Sequence, residues 1–271
     1  MNQEIEMKHE EYQYLDILRE ILEKGTDKSD RTGIGNRYLF SRSMRFSLKN
    51  HFPILTTKRV FWRGVVEELL FFLRGDTNSK HLEEKNVNIW KGNTSREFLD
   101  KLGLHNFPEG EIGCTYSHQW RNFSGEHPLV PETHGMKGFD QVKFVLDTLK
   151  TNPLDRRMII SAWAPNQMKQ MCLPACHLIY VFNVNPVTNE LNCHMTQRSC
   201  DAFLGIPFNI SSLALLTYIL AKAAGFLPGE ISWSGVDVHL YKSHIDSGVV
   251  EEQLKREPRD FPKLVIKKNI S

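Results

Sequence analysis

Cysteine is scarce in this chain. There are five in 271 residues, an odd number without the spacing of a disulfide framework, which argues against a stapled secreted scaffold and for a reducing compartment. Residues 1–11 are polar and acidic with no apolar h-region, so no secretory leader is expected. The longest apolar stretch, Ile210 to Leu227, is interrupted by Ser211, Ser212, Thr217 and Lys222, and reads as a buried core helix, not a membrane span. Charge of one sign is also lacking: a net +2 gives no general pull toward nucleic acid or an anionic membrane. A dinucleotide fingerprint is missing, because Gly33-Ile34-Gly35 has no third glycine and leads into a strand-like run from Tyr38 to Phe46. No repeat, low-complexity tract or linker divides the chain. A single domain over 1–271, cytoplasmic by default, is the expectation.

The chain is organised around Leu173-Pro174-Ala175-Cys176-His177 and Gln197-Arg198-Ser199-Cys200-Asp201. Between them, Leu178 to Val184 is a β-branched and aromatic run, Asn185 to Asn189 is rich in turn formers, and Leu191 to Thr196 reads as a second strand. An antiparallel hairpin of matched arms brings Cys176 close to Arg198. A cysteine beside an arginine has its thiolate stabilised and serves as a nucleophile near neutral pH.

Helical spacing runs through Tyr12, Leu15, Leu18 and Leu22, with Gly25 as the stop. Phe61 to Leu73 is apolar on most faces and carries Glu67 and Glu68. Adjacent acids on a helix point about 100° apart, so the inward one is a general acid/base candidate. Further helices are expected over Ser79 to Asn86, Ser95 to Leu102 and Phe139 to Thr151. The polar stretch Asn122 to Gly138, with its Gly, Pro and His, is the best candidate for a mobile surface insertion. Asp155-Arg156-Arg157 precedes a strand from Met158 to Trp163, and paired guanidinium forks suit oxyanions. A last strand around Ile231 to Leu240 carries His239, with Tyr241 following.

Three chemistries can draw on these residues. Zinc is disfavoured: Cys172 and Cys176 straddle a proline, and Cys193 and His194 lie on opposite faces of a strand. A Cys/His hydrolase finds no local signature. Nucleophilic addition to a phosphorylated small molecule uses one cysteine, several arginines, a buried glutamate and an asparagine able to read a base edge.

Pro174-Ala175-Cys176-His177, followed by the segment from Gln197 to Asn209, resembles thymidylate synthase of the folate-dependent, cysteine-nucleophile family, and the resemblance runs from Tyr12 to Ile266. It implies an α/β three-layer sandwich whose large mixed β-sheet packs at a homodimer interface. It implies reductive methylation of dUMP to dTMP with 5,10-methylenetetrahydrofolate as co-substrate, releasing dihydrofolate, and no metal. By residue match, the Cys176 thiolate adds to C6 of dUMP. Glu68, Tyr116 and His177 belong to the proton and water network, with Arg198, Asp201 and Asn209 also in the catalytic set. The nucleotide is held by Arg31, Arg198, Ser199, Asp201, Asn209, His239 and Tyr241, with Arg156 and Arg157 reaching across from the other subunit. Asn209 donates to O4 and accepts from N3–H of uracil. The folate wall matches Ile89, Trp90, Asn93, Asp201, Leu204, Gly205 and Phe208. No membrane and no specific nucleic acid partner is implied.

Three positions depart from the family pattern: Ala175 where Pro is usual, Trp163-Ala164 for Trp-Asn, and Cys114-Thr115-Tyr116-Ser117 for Pro-Val-Tyr-Gly. The catalytic groups survive all three, so altered rate or packing is expected. The resemblance also implies a closing tail beyond Leu264 that seals the folate site, and this chain ends at Ser271. A site left open admits water, so hydroxymethylation of dUMP is the first alternative, and a silent nucleotide- or RNA-binding relative the second.

Overall fold

The computed structural model describes residues 8–30 and 33–267. Arg31, the first seven residues and the end at Ser271 lie outside the described residues. In chain order the elements are α1 (Tyr12–Lys24), β1 (Thr26–Lys28), β2 (Asn36–Ser47), α2 (Trp62–Arg74), α3 (Lys80–Glu83), α4 (Arg96–Lys101), α5 (Tyr116–Asn122), α6 (Gln141–Thr151), β3 (Ile159–Ser161), β4 (His177–Asn185), β5 (Glu190–Asp201), α7 (Gly205–Ala224), β6 (Leu227–Tyr241), α8 (Lys242–Asp246) and α9 (Val249–Leu254).

The strands form one mixed sheet in the order β1-β2-β6-β5-β4-β3. All pairs are antiparallel except β5 with β6. Parallel neighbours require the chain to travel back along the sheet, and α7 makes that crossover. The helix packs on β5 and β6 on one side and on α2 on the other. Sheet, α7 and α2 therefore stack as three layers. A helix covered on both sides is apolar all round, which is why α7 is long and apolar enough to cross a membrane yet is two-thirds buried in the protein. It begins at Gly205, not Ile210, with Pro207 in its first turn, and stops before Gly225, whose φ of 85° suits glycine.

The amphipathic reading of α1 holds, with Leu15, Leu18 and Ile21 buried. At Gly25 the chain turns so closely that an added Cβ would sit 2.4 Å from the Ile21 carbonyl oxygen. The helix expected over Ser79 to Asn86 shortens to α3. Ser95 lies outside α4 and caps it by accepting from the Phe98 N–H. The segment from Asn122 to Gly138 is more firmly held than its composition suggests. Phe123 and Phe139 pair across its base, and His127 and Thr133 are buried inside it.

β5 does not end at Thr196 but runs to Asp201, because β6 continues to pair with it beyond the end of β4: Ser199 with Asp237, Cys200 with Val238, Asp201 with His239. The inward alternation also changes phase there. Leu191, Cys193, Met195 and Gln197 are buried, and then Cys200; on β6 the buried series Ile231, Trp233, Gly235 gives way to Val238 and Leu240. A register shift between His177 and Ile179 on β4 and a positive φ of 52° at Ser41 on β2 fall on the same band. This kink across four strands brings Ser199, Asp201, Asp237 and His239 to a cavity at one end of the sheet. On the outward side Phe40, Ile159, Ile179 and Val236 stay exposed.

Candidate active site

Cys176 lies just before β4, at the junction of two cavities. One, of about 700 Å³, is lined by Lys28, Asp30, Asn36, Arg198, Ser199, Asp237, His239 and Tyr241. The other, of about 600 Å³, has an aromatic and apolar wall of Ile89, Trp90, Leu204 and Phe208, with Lys58, Glu68, Asn93, Tyr116, His177, Gly205 and Asn209. Cys176, Leu173, Ser199 and Asp201 line both. The other four cysteines are buried. Burial pushes the Cys114 thiol up to about 12 and raises those of Cys172, Cys193 and Cys200 further, so none of them is a nucleophile.

The hairpin delivers what its spacing promised: the Arg198 N–H donates to the Cys176 carbonyl at 2.9 Å. The Arg198 side chain adds a brace. Its Nε donates to the Ala175 carbonyl at 2.9 Å and a terminal nitrogen to the Pro174 carbonyl at 2.8 Å. The guanidinium thus fixes the turn that carries the thiol as well as lining the polar cavity. From the other side the Cys176 N–H donates to the Tyr116 hydroxyl at 2.6 Å, and Tyr116 stacks on Phe72 with ring centroids 5.0 Å apart.

The two adjacent acids of α2 divide as expected. Glu67 faces outward and pairs with Lys85 at 2.6 Å. Glu68 is buried, and burial pushes its carboxyl up to about 7, against a smaller opposing effect from the Trp90 indole N–H, which donates to it. His177, the buried neighbour of Cys176 in the sequence, is pushed down to about 4 by burial and is neutral at pH 7. Its Nδ1 lies 3.3 Å from the Tyr180 hydroxyl. Asp201 Oδ1 accepts from the Phe203 and Leu204 N–H groups at 2.9 and 3.2 Å, shaping the turn into α7. His239 Nδ1 lies 3.0 Å from Asp237 Oδ1, and Lys28 is paired with the same carboxylate.

Arg156 and Arg157 are not brought to this site. Neither lines either cavity, and Arg157 is 83% exposed and paired with Asp155. Sequence reasoning passed over Lys28, Lys58 and Gln197. Lys58 donates to the Phe203 carbonyl at 2.6 Å and sits 3.5 Å over the Phe203 ring; burial pulls its ammonium down to about 8. Its segment is anchored by Glu11, a fully buried carboxylate that accepts from the backbone and hydroxyl of Thr56 at 2.8 and 2.7 Å and of Thr57 at 2.9 and 2.6 Å. Gln253 and Arg256 donate to Thr57, and the Arg259 N–H to Thr56. Gln197 carried a readable signal: it continues the inward series of β5 as a buried polar side chain.

A half-buried thiol on the wall shared by a polar chamber and an aromatic one, with a buried carboxyl that titrates near neutrality, is a set of groups suited to covalent catalysis. The family model for thymidylate synthase matches residues 12–271. The thymidylate synthase of Homo sapiens is 48% identical over 262 residues, covering 97% of this chain and 82% of the relative. That of human herpesvirus 8 type P is 49% identical over 266 residues, covering 98% and 78%. The bifunctional dihydrofolate reductase-thymidylate synthase of Leishmania amazonensis is 51% identical over 260 residues, 96% of this chain and 50% of the relative. The chain spans about half the length of such bifunctional relatives. It belongs to the thymidylate synthase family.

Proposed function

We propose that the chain methylates dUMP to dTMP, with 5,10-methylenetetrahydrofolate as co-substrate and dihydrofolate as the second product. The observation that carries this reading is the position of Cys176 on the shared wall of the two chambers. A thiolate there can add to C6 of a pyrimidine whose phosphate and deoxyribose lie in the polar chamber and whose base passes Cys176 to reach Asn209 and the aromatic wall. The co-substrate supplies the one-carbon unit and the hydride, and the flat apolar faces of Trp90 and Phe208 beside Ile89, Asn93, Leu204 and Gly205 suit its rings.

Arg198 and Ser199 hold the phosphate together with Arg31, and His239 and Tyr241 the deoxyribose. Asn209 reads the uracil edge. Glu68, with a carboxyl that exchanges its proton near pH 7, serves the proton transfers with Tyr116 and His177. The chain works as a homodimer in the cytoplasm. The outward sheet face with Phe40, Ile159, Ile179 and Val236 is the surface that meets the second copy, and Arg156 and Arg157 then reach the partner's phosphate.

The test is release of tritium from 5-tritiated dUMP with methylenetetrahydrofolate, read beside the absorbance of dihydrofolate. Both signals rising together support the reading. Tritium release without dihydrofolate, or neither signal, overturns it.

A further inference from the structure

Asn209 does not set its own polarity. A side-chain amide presents an oxygen or an NH₂ with nearly equal ease, and a freely turning Asn209 would donate to the O4 of uracil or accept from the N4 amino group of cytosine. Behind it runs a buried chain of hydrogen bonds that begins at a group with no such freedom. The indole Nε1–H of Trp233 can only donate, and it lies 2.9 Å from Gln197 Oε1. That contact places the Gln197 NH₂ on the far side, where it donates to the Ser199 carbonyl at 3.1 Å and to Asn209 Oδ1 at 3.0 Å. With one lone pair of its oxygen taken by Gln197, Asn209 keeps its NH₂ for an acceptor such as O4 and the second lone pair for a donor such as N3–H. His177 is also within hydrogen-bonding reach of Asn209, but a neutral imidazole donates or accepts as its neighbours require and commands neither arrangement.

The sheet is built to allow this contact. Trp233 is fully buried and Gln197 is 3% exposed, on neighbouring parallel strands. Gln197 is paired in register with Gly235, where an added Cβ would lie 2.4 Å from the Trp233 ring. Glycine there leaves the indole room.

We infer that Trp233 and Gln197 are positioning residues that lock the amide of Asn209 with its NH₂ outward, so that the preference for a pyrimidine carrying a 4-oxo group over a 4-amino group originates at Trp233. The inference rests on the nucleotide reading given above. Binding of dUMP and of dCMP is measured by calorimetry for the unmodified protein, Gln197→Met and Trp233→Phe. Each variant is expected to lower the ratio of dUMP to dCMP affinity by about tenfold. In an Asn209→Ala background, Gln197→Met is expected to leave that ratio where it is. Equal weakening of both nucleotides, with the ratio kept, overturns the relay and assigns Gln197 and Trp233 to packing alone. Either variant suffices if the other does not fold. No preference for dUMP in the unmodified protein overturns the nucleotide reading itself, and the relay with it.

Discussion

Trp90 and Glu68 share a buried hydrogen bond of 2.8 Å, indole Nε1–H to carboxylate oxygen. One donor does not replace the water a carboxylate loses on burial, so the proton stays on Glu68 up to about pH 7. The unfolded chain releases it near the ordinary value of 4.5. Between these values the folded state binds more protons than the unfolded one, so stability falls as pH rises from 4.5 to 7 and levels off above. The loss amounts to about 3 kcal/mol. Glu68→Gln is expected to flatten that slope in urea titrations and to lower kcat by about a hundredfold or more.

Cys176→Ser is expected to abolish turnover while leaving dUMP binding within about tenfold, because the phosphate contacts dominate affinity. Calorimetry beside the tritium assay separates the two. Loss of binding together with turnover would mean that the turn braced by Arg198 and Tyr116 had collapsed.

Lys58 carries its charge below about pH 8 because burial disfavours the ammonium. A folate has carboxylates that such a cation can hold. KM for methylenetetrahydrofolate is expected to rise as pH passes 8. In Lys58→Met it should already be high at neutral pH and rise no further. A KM for dUMP that climbed in parallel would remove Lys58 from a role specific to the folate.

Ile179→Glu places a charge on the outward sheet face without touching the cavities. Sedimentation is expected to give a dimer for the unmodified chain and a monomer for the variant, with nucleotide affinity reduced by the loss of the arginines proposed to reach across. A variant that stays dimeric would move the interface elsewhere.

Much of this was legible in the sequence because it is local. The stripe of α1, the split between Glu67 and Glu68 on α2, and the juxtaposition of Cys176 with Arg198 all follow from helical spacing or from a hairpin with a short turn. The remainder depends on register between distant strands. Nothing near Gln197 announces Trp233, and the end of β5 at Asp201 depends on the length of β6. Lys58 reaches the site because Glu11 holds its segment. The Asn122 to Gly138 segment looks loose by composition, yet Thr133 accepts from the His127 N–H at 2.8 Å and donates to the Val130 carbonyl at 2.7 Å, satisfying polar groups that would otherwise seek water. Arg156 and Arg157 lie outside the cavities of a single chain, so their assigned role rests on a second one.

Glu11 gathers four donors from Thr56 and Thr57, and the same two threonines receive Gln253, Arg256 and Arg259. The start of α1 and the stretch after α9 are thereby fastened together one residue before Lys58. Strain applied near either of these distant parts of the chain is passed to the rim of the aromatic chamber, and a bulky fusion placed beside Glu11 would disturb the position of Lys58.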